Sequence, residues 1–183
     1  MAGREPQRQK HPGGLEVREL GLVLVLRAHN GFLVGVPFVW CSNDLVASFA
    51  TQALLYRRMT DNARFLPYEM AAIDWLFGAN PWGTSMVIGL PRQGVGPRDP
   101  QSAVALKLGI GAVRGGVVDG PVYRSIFEHL RGVTLTHPDA FAPFNTGRLV
   151  YHDDWADYAT NEPTLDGTAN LVYLLATLGD PVR

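Results

Sequence analysis

Residues 82–122 constrain the fold most, because glycine and proline recur too often there for a long helix or a regular strand. Nine of these residues are glycine, whose backbone freedom disfavours regular structure, and each proline lacks an amide donor. The segments on both sides differ, since their apolar residues recur at the three-to-four-residue spacing of helices. The pattern predicts helices joined by a long loop region that holds at most short strands.

Four helices are predicted around this loop region. Their expected bounds are Ser42 to Arg58, Asn62 to Phe77, Tyr123 to Arg131 and Pro163 to Leu178. Ser42 and Asn43 are expected to cap the first helix, and Pro67 is tolerated in the first turn of the second. The core-facing residues of the last helix are expected to be Leu171, Val172, Leu175 and Leu178. The predicted fold class is therefore mainly α.

A dense group of carboxylates precedes the last predicted helix. Five fall within fourteen residues, namely Asp153, Asp154, Asp157, Glu162 and Asp166. Three aromatic residues are interleaved with them or directly precede them, namely Tyr151, Trp155 and Tyr158. Carboxylates this close raise one another's pKa, and aromatic faces commonly bind sugar rings. Because glycosidic-bond hydrolysis uses a pair of carboxyl groups, the segment predicts half of a glycosidase active site.

The spacing of these residues resembles the C-terminal active-site signature of family 9 glycoside hydrolases. The matching positions are Tyr151, Asp153, Tyr158, Glu162, Thr164 and Ala169. The family usually has Asn before the small residue matched to Ala169, whereas this chain has Thr168. The run from Asn161 to Ala169 resembles a bacterial subgroup that carries the same substitution.

Three further blocks resemble landmarks of the same subgroup, and they follow in the expected order. They are residues 36–43, 74–86 and 115–123. The resemblance covers roughly residues 30–178. It implies a partial (α/α)6 barrel, a toroid of six helical hairpins, with long active-site loops. The four predicted helices supply only part of such a barrel, so exposed apolar faces are expected.

The resemblance also implies roles for two carboxylates. Glu162 would be the general acid, and Asp153 would belong to the active site. The family's catalytic base is an aspartate in an Asp-Ala-Gly-Asp motif toward the N-terminus, and this sequence does not contain that motif. The expectation is an inverting glycosidase for a β-glucan or related plant polysaccharide, with this chain as a C-terminal part that lacks the base.

Glu162 is predicted at or just before the start of the last helix. The helix dipole favours an anion there and would lower the pKa of Glu162. A general acid needs a raised pKa, which burial and the negative charges of Asp153, Asp154 and Asp157 are expected to supply. The alternative from composition is that Glu162 caps the helix and the aspartates form a solvated loop.

Five residues are candidates for substrate binding, namely Trp82, Gln101, His152, Asp157 and Tyr158. Trp82 is expected either to stack on a sugar or to pack beneath its loop. Gln101 stands where the resemblance implies a sugar-binding histidine, and its amide can still donate and accept hydrogen bonds. His152 is expected to contact substrate, to orient Asp153 or to serve as a hydrogen-bonded loop residue. Asp157 and Tyr158 are expected to shape the site by hydrogen bonds.

Composition argues against other classes. A net charge of −1 gives no electrostatic case for nucleic acid or an anionic membrane as partner, and no apolar run reaches the ~18 residues of a membrane span. The single cysteine, Cys41, excludes an intramolecular disulfide and is expected to be a buried, inert thiol. The histidines are too scattered for a metal site, and no cofactor is predicted. Asp119 is expected to be a turn residue or a cleft residue.

Residues 1–28 are expected to be disordered or non-homologous, and residues 29–183 to form the family-like domain. The first segment is not a convincing secretory signal, whereas the resemblance implies a secreted or periplasmic protein, so the location stays open. Two other interpretations remain open. One is an inactive relict or a non-catalytic carbohydrate-binding fragment. The other is a polysaccharide lyase, which the acidic segment disfavours.

Overall fold

The computed structural model of the chain describes residues 30–110 and 113–179. The predicted disordered segment, residues 1–28, lies outside this part of the chain. Within it, no helix is long and apolar enough to cross a membrane.

Helices are the main regular structure of the described residues, and the strands are only two residues long. In chain order the elements are α1 (Ser42–Thr60), α2 (Leu66–Leu76), α3 (Ala103–Leu108), β1 (Val117–Val118), β2 (Val122–Tyr123), α4 (Arg124–Phe127), β3 (Leu149–Val150), β4 (Pro163–Thr164) and α5 (Leu165–Gly179). The mainly α prediction is confirmed at this level, and long loops join the helices as expected.

The core lies where α1 packs against both α2 and α5. Helix α1 contributes residues spaced three or four apart, so that one side of the helix is apolar. These buried residues are Val46, Ala47, Phe49, Ala50, Ala53 and Leu54. Helix α2 adds Trp75 and Leu76, and the ring of Trp75 meets that of Trp82 edge-on at 6.3 Å. The loop that follows α2 is thereby fixed to the core.

Two short antiparallel ladders connect the loops above this core. Strand β1 pairs with β4, placing Val117 opposite Thr164 and Val118 opposite Pro163. Strand β2 pairs with β3, which ties the loop after β1 to the segment before the acidic group. The candidate site residues lie on and beside these ladders.

The start of α1 differs from the prediction. Cys41 precedes the helix with a left-handed φ of 55°, and no side chain caps the first turn. Ser42 Oγ donates a hydrogen bond to Pro121 O at 2.7 Å, and Asn43 Nδ2 donates to Val118 O at 2.8 Å. The predicted capping role of Ser42 and Asn43 is therefore wrong, because both side chains are buried and hold the loop after β1 against α1.

Helices α2, α4 and α5 lie where the sequence predicts them, but their bounds differ. Helix α2 begins at Leu66 rather than near residue 62, with Pro67 in its first turn as expected. Helix α4 has only four residues, and α3 lies in the region predicted as loop. Pro163 and Thr164 form β4 instead of the first turn of α5, because their backbone pairs with β1.

The buried side of α5 is also narrower than predicted. Leu171 and Leu174 are buried, whereas Val172, Leu175 and Leu178 are 64%, 39% and 44% exposed. The prediction was right for Leu171 and wrong for the other three, because α1 packs along a single side of α5. Exposed apolar residues on this helix are as expected.

Candidate active site

Asn161 joins the parts of the acidic segment. Its buried side-chain amide donates to Asp153 Oδ1 at 3.1 Å and to Asp99 O at 2.8 Å. Its Oδ1 accepts a hydrogen bond from the Tyr151 hydroxyl at 3.3 Å. Because Asn161 directly precedes Glu162, the main chain of Glu162 lies next to the network that holds the Asp153 carboxyl group. The structure thus brings Asp153 and Glu162 into one region.

Asp153 is held by main-chain donors from the neighbouring loop. The amide of Arg98 donates to Asp153 Oδ2 at 2.8 Å, and the amide of Asp99 donates to Oδ1 at 3.0 Å. The side chain is half-buried. The two hydrogen bonds fix the orientation of the carboxyl group.

Glu162 is placed by its main chain, and its side chain is exposed. The amide of Asp119 donates to Glu162 O at 2.9 Å, which extends the β1–β4 ladder beyond Pro163. Helix α5 begins only at Leu165, so Glu162 does not lie at its N-terminus. Glu162 thus lies three residues before the helix, and the influence of the helix dipole on it stays a prediction.

Asp154 is an anchor within the acidic segment. It accepts hydrogen bonds from the amides of Thr136, His137 and Ala156 at 2.7, 3.0 and 2.8 Å. Burial alone would raise the pKa of Asp154, but these hydrogen bonds outweigh burial and hold the pKa below its usual range. Asp154 therefore holds the loop that contains Thr136 and His137 against the acidic segment.

His152 and Asp157 form a buried pair. His152 Nδ1 lies 2.8 Å from Asp157 Oδ2, and the Thr160 hydroxyl donates to the same oxygen at 2.7 Å. Asp157 Oδ1 accepts from the amides of Ala159 and Thr160. The His152 ring also packs against Phe127, with ring centroids 4.5 Å apart. These contacts match the expected loop-shaping role of Asp157.

Trp82 and Gln101 lie at different depths. Trp82 is 4% exposed, and its indole Nε1 donates to Asn145 Oδ1 at 2.8 Å. This position corresponds to the packing alternative for Trp82. Gln101 is half-buried. Its main-chain N–H donates to Asn161 O at 2.9 Å, so its main chain belongs to the same hydrogen-bonded network as Asp153.

Aromatic faces are available on the surface near the acidic segment. Tyr158 donates from its hydroxyl to Arg131 O at 3.2 Å and stacks on Trp40, with ring centroids 5.8 Å apart and planes 19° from parallel. Trp40 is 45% exposed and was not among the predicted site residues. The one sequence signal for Trp40 was its place in the family-like block of residues 36–43, since a single aromatic residue in a loop does not by itself indicate a function.

Trp155 lines a pocket beside Asp153. The pocket has a volume of about 260 Å³ and is also lined by Arg98, Asp99, Ser102 and Leu106. Trp155 is 39% exposed, and its amide donates to Asp99 Oδ2 at 3.3 Å. It was not among the predicted site residues, although its position between Asp154 and Asp157 in the signature segment was a usable signal.

Asp119 is the most unusual carboxyl group of the site. It is 3% exposed, and its Oδ1 has no hydrogen-bond partner. The pKa of Asp119 is raised to about 7, mainly by burial and further by the negative charges of Glu162 and Asp44, against the lowering effect of a hydrogen bond with the Cys41 thiol. Of the two expectations for Asp119, a simple turn residue does not explain this environment.

Cys41 is half-buried beside this carboxyl group. Burial and the neighbouring Asp119 raise the pKa of the Cys41 thiol to about 12, so the thiol stays protonated at neutral pH. Within residues 30–110 and 113–179, no three His, Cys, Asp or Glu side chains are arranged to hold a metal ion.

The helical fold with carboxylate-bearing loops above it is that of a glycoside hydrolase domain. The family model that matches the chain is "Glycosyl hydrolase family 9", and the match spans residues 22–175. The chain therefore belongs to glycosyl hydrolase family 9. The match begins before the domain boundary predicted at residue 29. No curated protein matches the chain.

Three solved structures show the same fold. A metagenome-derived glycoside hydrolase family 9 endoglucanase is 24% identical, with a TM-score of 0.63 over 92% of this chain and 30% of the other. AaCel9A in complex with cellobiose-like isofagomine is 24% identical, with a TM-score of 0.65 over 91% of this chain and 31% of the other. A single-mutant thermostable endoglucanase from Alicyclobacillus acidocaldarius has 24% identity and a TM-score of 0.66 over the same shares. This chain thus spans about 30% of the length of these solved relatives.

Proposed function

We propose that this chain forms the general-acid side of a glycosidase that hydrolyses a β-glucan or related plant polysaccharide. Family membership supports the reaction class. The observation that carries the assignment is the hydrogen bond from Asn161 to Asp153, because Asn161 is the residue directly before Glu162. The fold would be part of an (α/α)6 barrel, with the remaining hairpins supplied outside these residues.

In the proposed mechanism, Glu162 protonates the glycosidic oxygen as the bond to the leaving sugar breaks. An aspartate outside this chain's residues removes a proton from the attacking water on the opposite face of the sugar. This arrangement inverts the anomeric configuration and requires the two carboxyl groups to lie about 6.5–9.5 Å apart. The exposed side chain of Glu162 is suited to such a role, because it faces solvent and not the core.

Asp153 would orient the site and balance its charge. Amides from the 98–99 loop hold its carboxyl group in a fixed orientation beside the proposed sugar site. A fixed negative charge stabilises the positive charge that develops on the sugar ring in the transition state. Gln101 would contribute hydrogen bonds, while Tyr158 and Trp155 offer flat apolar faces for sugar rings.

The test is the Glu162→Gln variant in the protein assembled with a family 9 segment that bears the Asp-Ala-Gly-Asp motif. Glutamine keeps the shape of Glu162 but cannot donate a proton as an acid. Hydrolysis of unactivated β-glucan is expected to fall by a factor of about 10²–10⁴, the usual contribution of general acid catalysis.

Two comparisons sharpen this test. A dinitrophenyl glycoside needs no protonation to leave, so the Glu162→Gln variant is expected to keep most of its activity on that substrate. Glu128→Gln, which removes an exposed carboxylate directly after α4, serves as the matched control. Near-wild-type hydrolysis of β-glucan by Glu162→Gln would refute the assignment.

A second candidate is a carbohydrate-binding fragment that does not cleave its ligand. The exposed rings of Trp40 and Trp155 favour it, since aromatic faces bind sugars without any catalytic base. Calorimetry of the chain alone with cello-oligosaccharides separates the candidates. If the chain binds the oligosaccharide and neither the chain nor the assembled protein releases a product, the carbohydrate-binding interpretation is supported.

A further inference from the structure

Asp119 and Glu162 are cross-strand neighbours. The β1–β4 register places Val117 opposite Thr164 and Val118 opposite Pro163. The next pair in this register is Asp119 and Glu162, and the 2.9 Å hydrogen bond from Asp119 N to Glu162 O continues the ladder there. Directly opposed residues point to the same face, with Cβ atoms about 4.5–5.5 Å apart. The two carboxyl groups therefore lie side by side, one buried and one exposed.

The position of Asp119 is fixed from both sides. Its amide is bound to Glu162 O, and its carbonyl oxygen accepts a hydrogen bond from the Asn43 amide at 2.9 Å. Gly120, the next residue, lies so close to the Asn43 side chain that an added Cβ would meet it at 2.4 Å. The main chain at Asp119 therefore cannot shift without moving α1.

None of the side chains that shift the pKa of Asp119 is a cation. The groups that shift its titration are Cys41 at the start of α1, Asp44 of α1, Glu162 and Asp157. Three of these are carboxyl groups and the fourth is a thiol. A buried carboxylate is costly when one of its oxygens has no hydrogen-bond partner and its charged neighbours are also negative, whereas the protonated acid is not. The Asp119 carboxyl group therefore retains a proton to a higher pH than an ordinary exposed carboxyl group does.

We propose that Asp119 stores the proton that Glu162 delivers, so that the two carboxyl groups act as one acid. This inference rests on the proposed role of Glu162. When a sugar covers Glu162 and removes its water, the O–H bond of Asp119 breaks and the proton moves to a Glu162 oxygen. Glu162 then gives the proton to the leaving glycosidic oxygen. Afterwards the pair regains a proton from solvent through Glu162.

Asp119 is a positioning residue in this scheme, because it acts through Glu162 and does not touch the sugar. Two nearby carboxyl groups whose charges interact titrate as a pair, with apparent pKa values that belong to both. Between the two steps the pair holds one proton. The acid form of the site would then persist up to the upper step, beyond the range of an isolated exposed glutamate.

Infrared titration of the chain tests the stored proton without any activity. The C=O stretch of a protonated carboxylic acid is followed from pH 5 to pH 8.5 in wild type, Asp119→Asn and Asp61→Asn. Asp61 lies exposed at the far end of α1 and serves as the control. We expect a band that disappears with a midpoint near pH 7 in wild type and in Asp61→Asn, and that is absent from Asp119→Asn. Absence of the band in wild type, or its persistence in Asp119→Asn, overturns the proposal.

The coupling is tested with Glu162→Gln in the same measurement. Removing the neighbouring negative charge is expected to lower the midpoint of the Asp119 band by about 0.5–2 pH units, for charges about 6 Å apart. An unchanged midpoint would show that the two groups are not coupled. These spectra are independent of hydrolysis, so a titrating, coupled pair in an inactive assembled protein refutes the proposed function and leaves the pair intact.

The pH profile of the assembled enzyme tests the delivery step. In Asp119→Asn the alkaline limb of kcat/KM is expected to move to lower pH, by about 1–2 units, because Glu162 then titrates alone. Activity near pH 5 stays within a few-fold of wild type. A uniform loss at all pH values would indicate a merely structural role for Asp119, and an unchanged profile would likewise contradict proton storage.

Discussion

At the scale of single residues, Gly120 lies where the loop after β1 passes closest to α1. Its φ is +90°, and a Cβ there would meet the Asn43 side chain at 2.4 Å. Asn43 cannot withdraw, because it is buried and its amide is bound to Val118 O. Gly120→Ala is expected to lower the free energy of unfolding by about 2–6 kcal/mol, since backbone strain and overpacking each cost about 1–3 kcal/mol.

Gly115→Ala separates the two causes. Gly115 has nearly the same φ, +88°, but a Cβ there would meet no atom within 4 Å. This variant is expected to lose only the strain contribution, about 1–3 kcal/mol. Urea denaturation of both variants measures the difference, and equal losses would show that the contact with Asn43 is unimportant.

Asp119 should also make the stability of the fold depend on pH. Its pKa is about 7 in the folded chain, against an unfolded value of about 3.9. Between these values the folded state binds more protons than the unfolded state, so the free energy of unfolding falls as pH rises through this window. Asp119→Asn removes this dependence, and above pH 7 the variant is expected to be the more stable protein, by at most about 4 kcal/mol.

The measurement is a series of denaturation curves at pH 4.5, 6 and 7.5. The difference between Asp119→Asn and wild type is expected to grow steadily over this series. Staying below pH 8 keeps Cys41 from contributing, because its thiol ionises only in the unfolded state and only above that pH. A constant difference over the series would contradict the raised pKa of Asp119.

At the scale of elements, an ion pair joins α1 to α2. Arg57 Nη2 lies 2.8 Å from Glu69 Oε1, and Arg57 Nε lies 3.2 Å from Glu69 Oε2. The Glu69 side chain is 1% exposed, whereas that of Arg57 is 27% exposed. Arg57→Met is expected to cost about 3–5 kcal/mol, because it leaves a buried carboxylate without a partner.

Glu69→Met should cost less, since the Arg57 side chain retains access to water. The double variant, Arg57→Met with Glu69→Met, is expected to recover most of the loss, because two apolar side chains of similar volume suit a buried position. A double-mutant cycle on the free energy of unfolding measures the coupling. Additive losses would mean that the two side chains do not interact.

The sequence predicts the elements that are decided locally, and it fails where a distant partner decides. Helix α2 is found because its apolar spacing and its proline act within the element. Pro163 and Thr164 satisfy the rules for a helix start, but pairing with β1 draws them into a ladder. Ser42 and Asn43 are residue types that often cap helices. Their side chains instead donate hydrogen bonds to main-chain carbonyl groups more than seventy residues away.

The same limit applies to the candidate site. The spacing of Asp153 and Glu162 is readable in the sequence, because both lie in one continuous motif. Asp119 is more than forty residues from Glu162, and no local pattern shows that the two become cross-strand neighbours. The expected repulsion from Asp154 also required structure to judge, since its hydrogen bonds come from Thr136 and His137 in another loop.

At the scale of the whole molecule, apolar side chains remain on the surface of α3 and α5. The most exposed on α3 and just after it are Val104, Leu106, Leu108 and Ile110, and on α5 they are Leu165, Val172, Leu178 and Tyr173. Contiguous apolar surface of this kind marks an interaction site or an aggregation risk. The chain spans about 30% of its solved relatives, so such surface is consistent with a part of a larger domain.

The chain alone is therefore expected to self-associate as its concentration rises, through faces that include α5. Val172 is 64% exposed on that helix, so Val172→Glu places a charge on the apolar face without disturbing the core. Association is expected to weaken about tenfold or more, since burial of a valine side chain contributes about 1.5–3 kcal/mol and each 1.4 kcal/mol is a factor of ten.

Gln52→Glu adds the same charge to an exposed position of α1 and serves as the control. Sedimentation equilibrium over a hundredfold range of concentration measures both variants. A chain that is monomeric throughout, or an equal effect of the two substitutions, would show that the apolar face of α5 does not drive association.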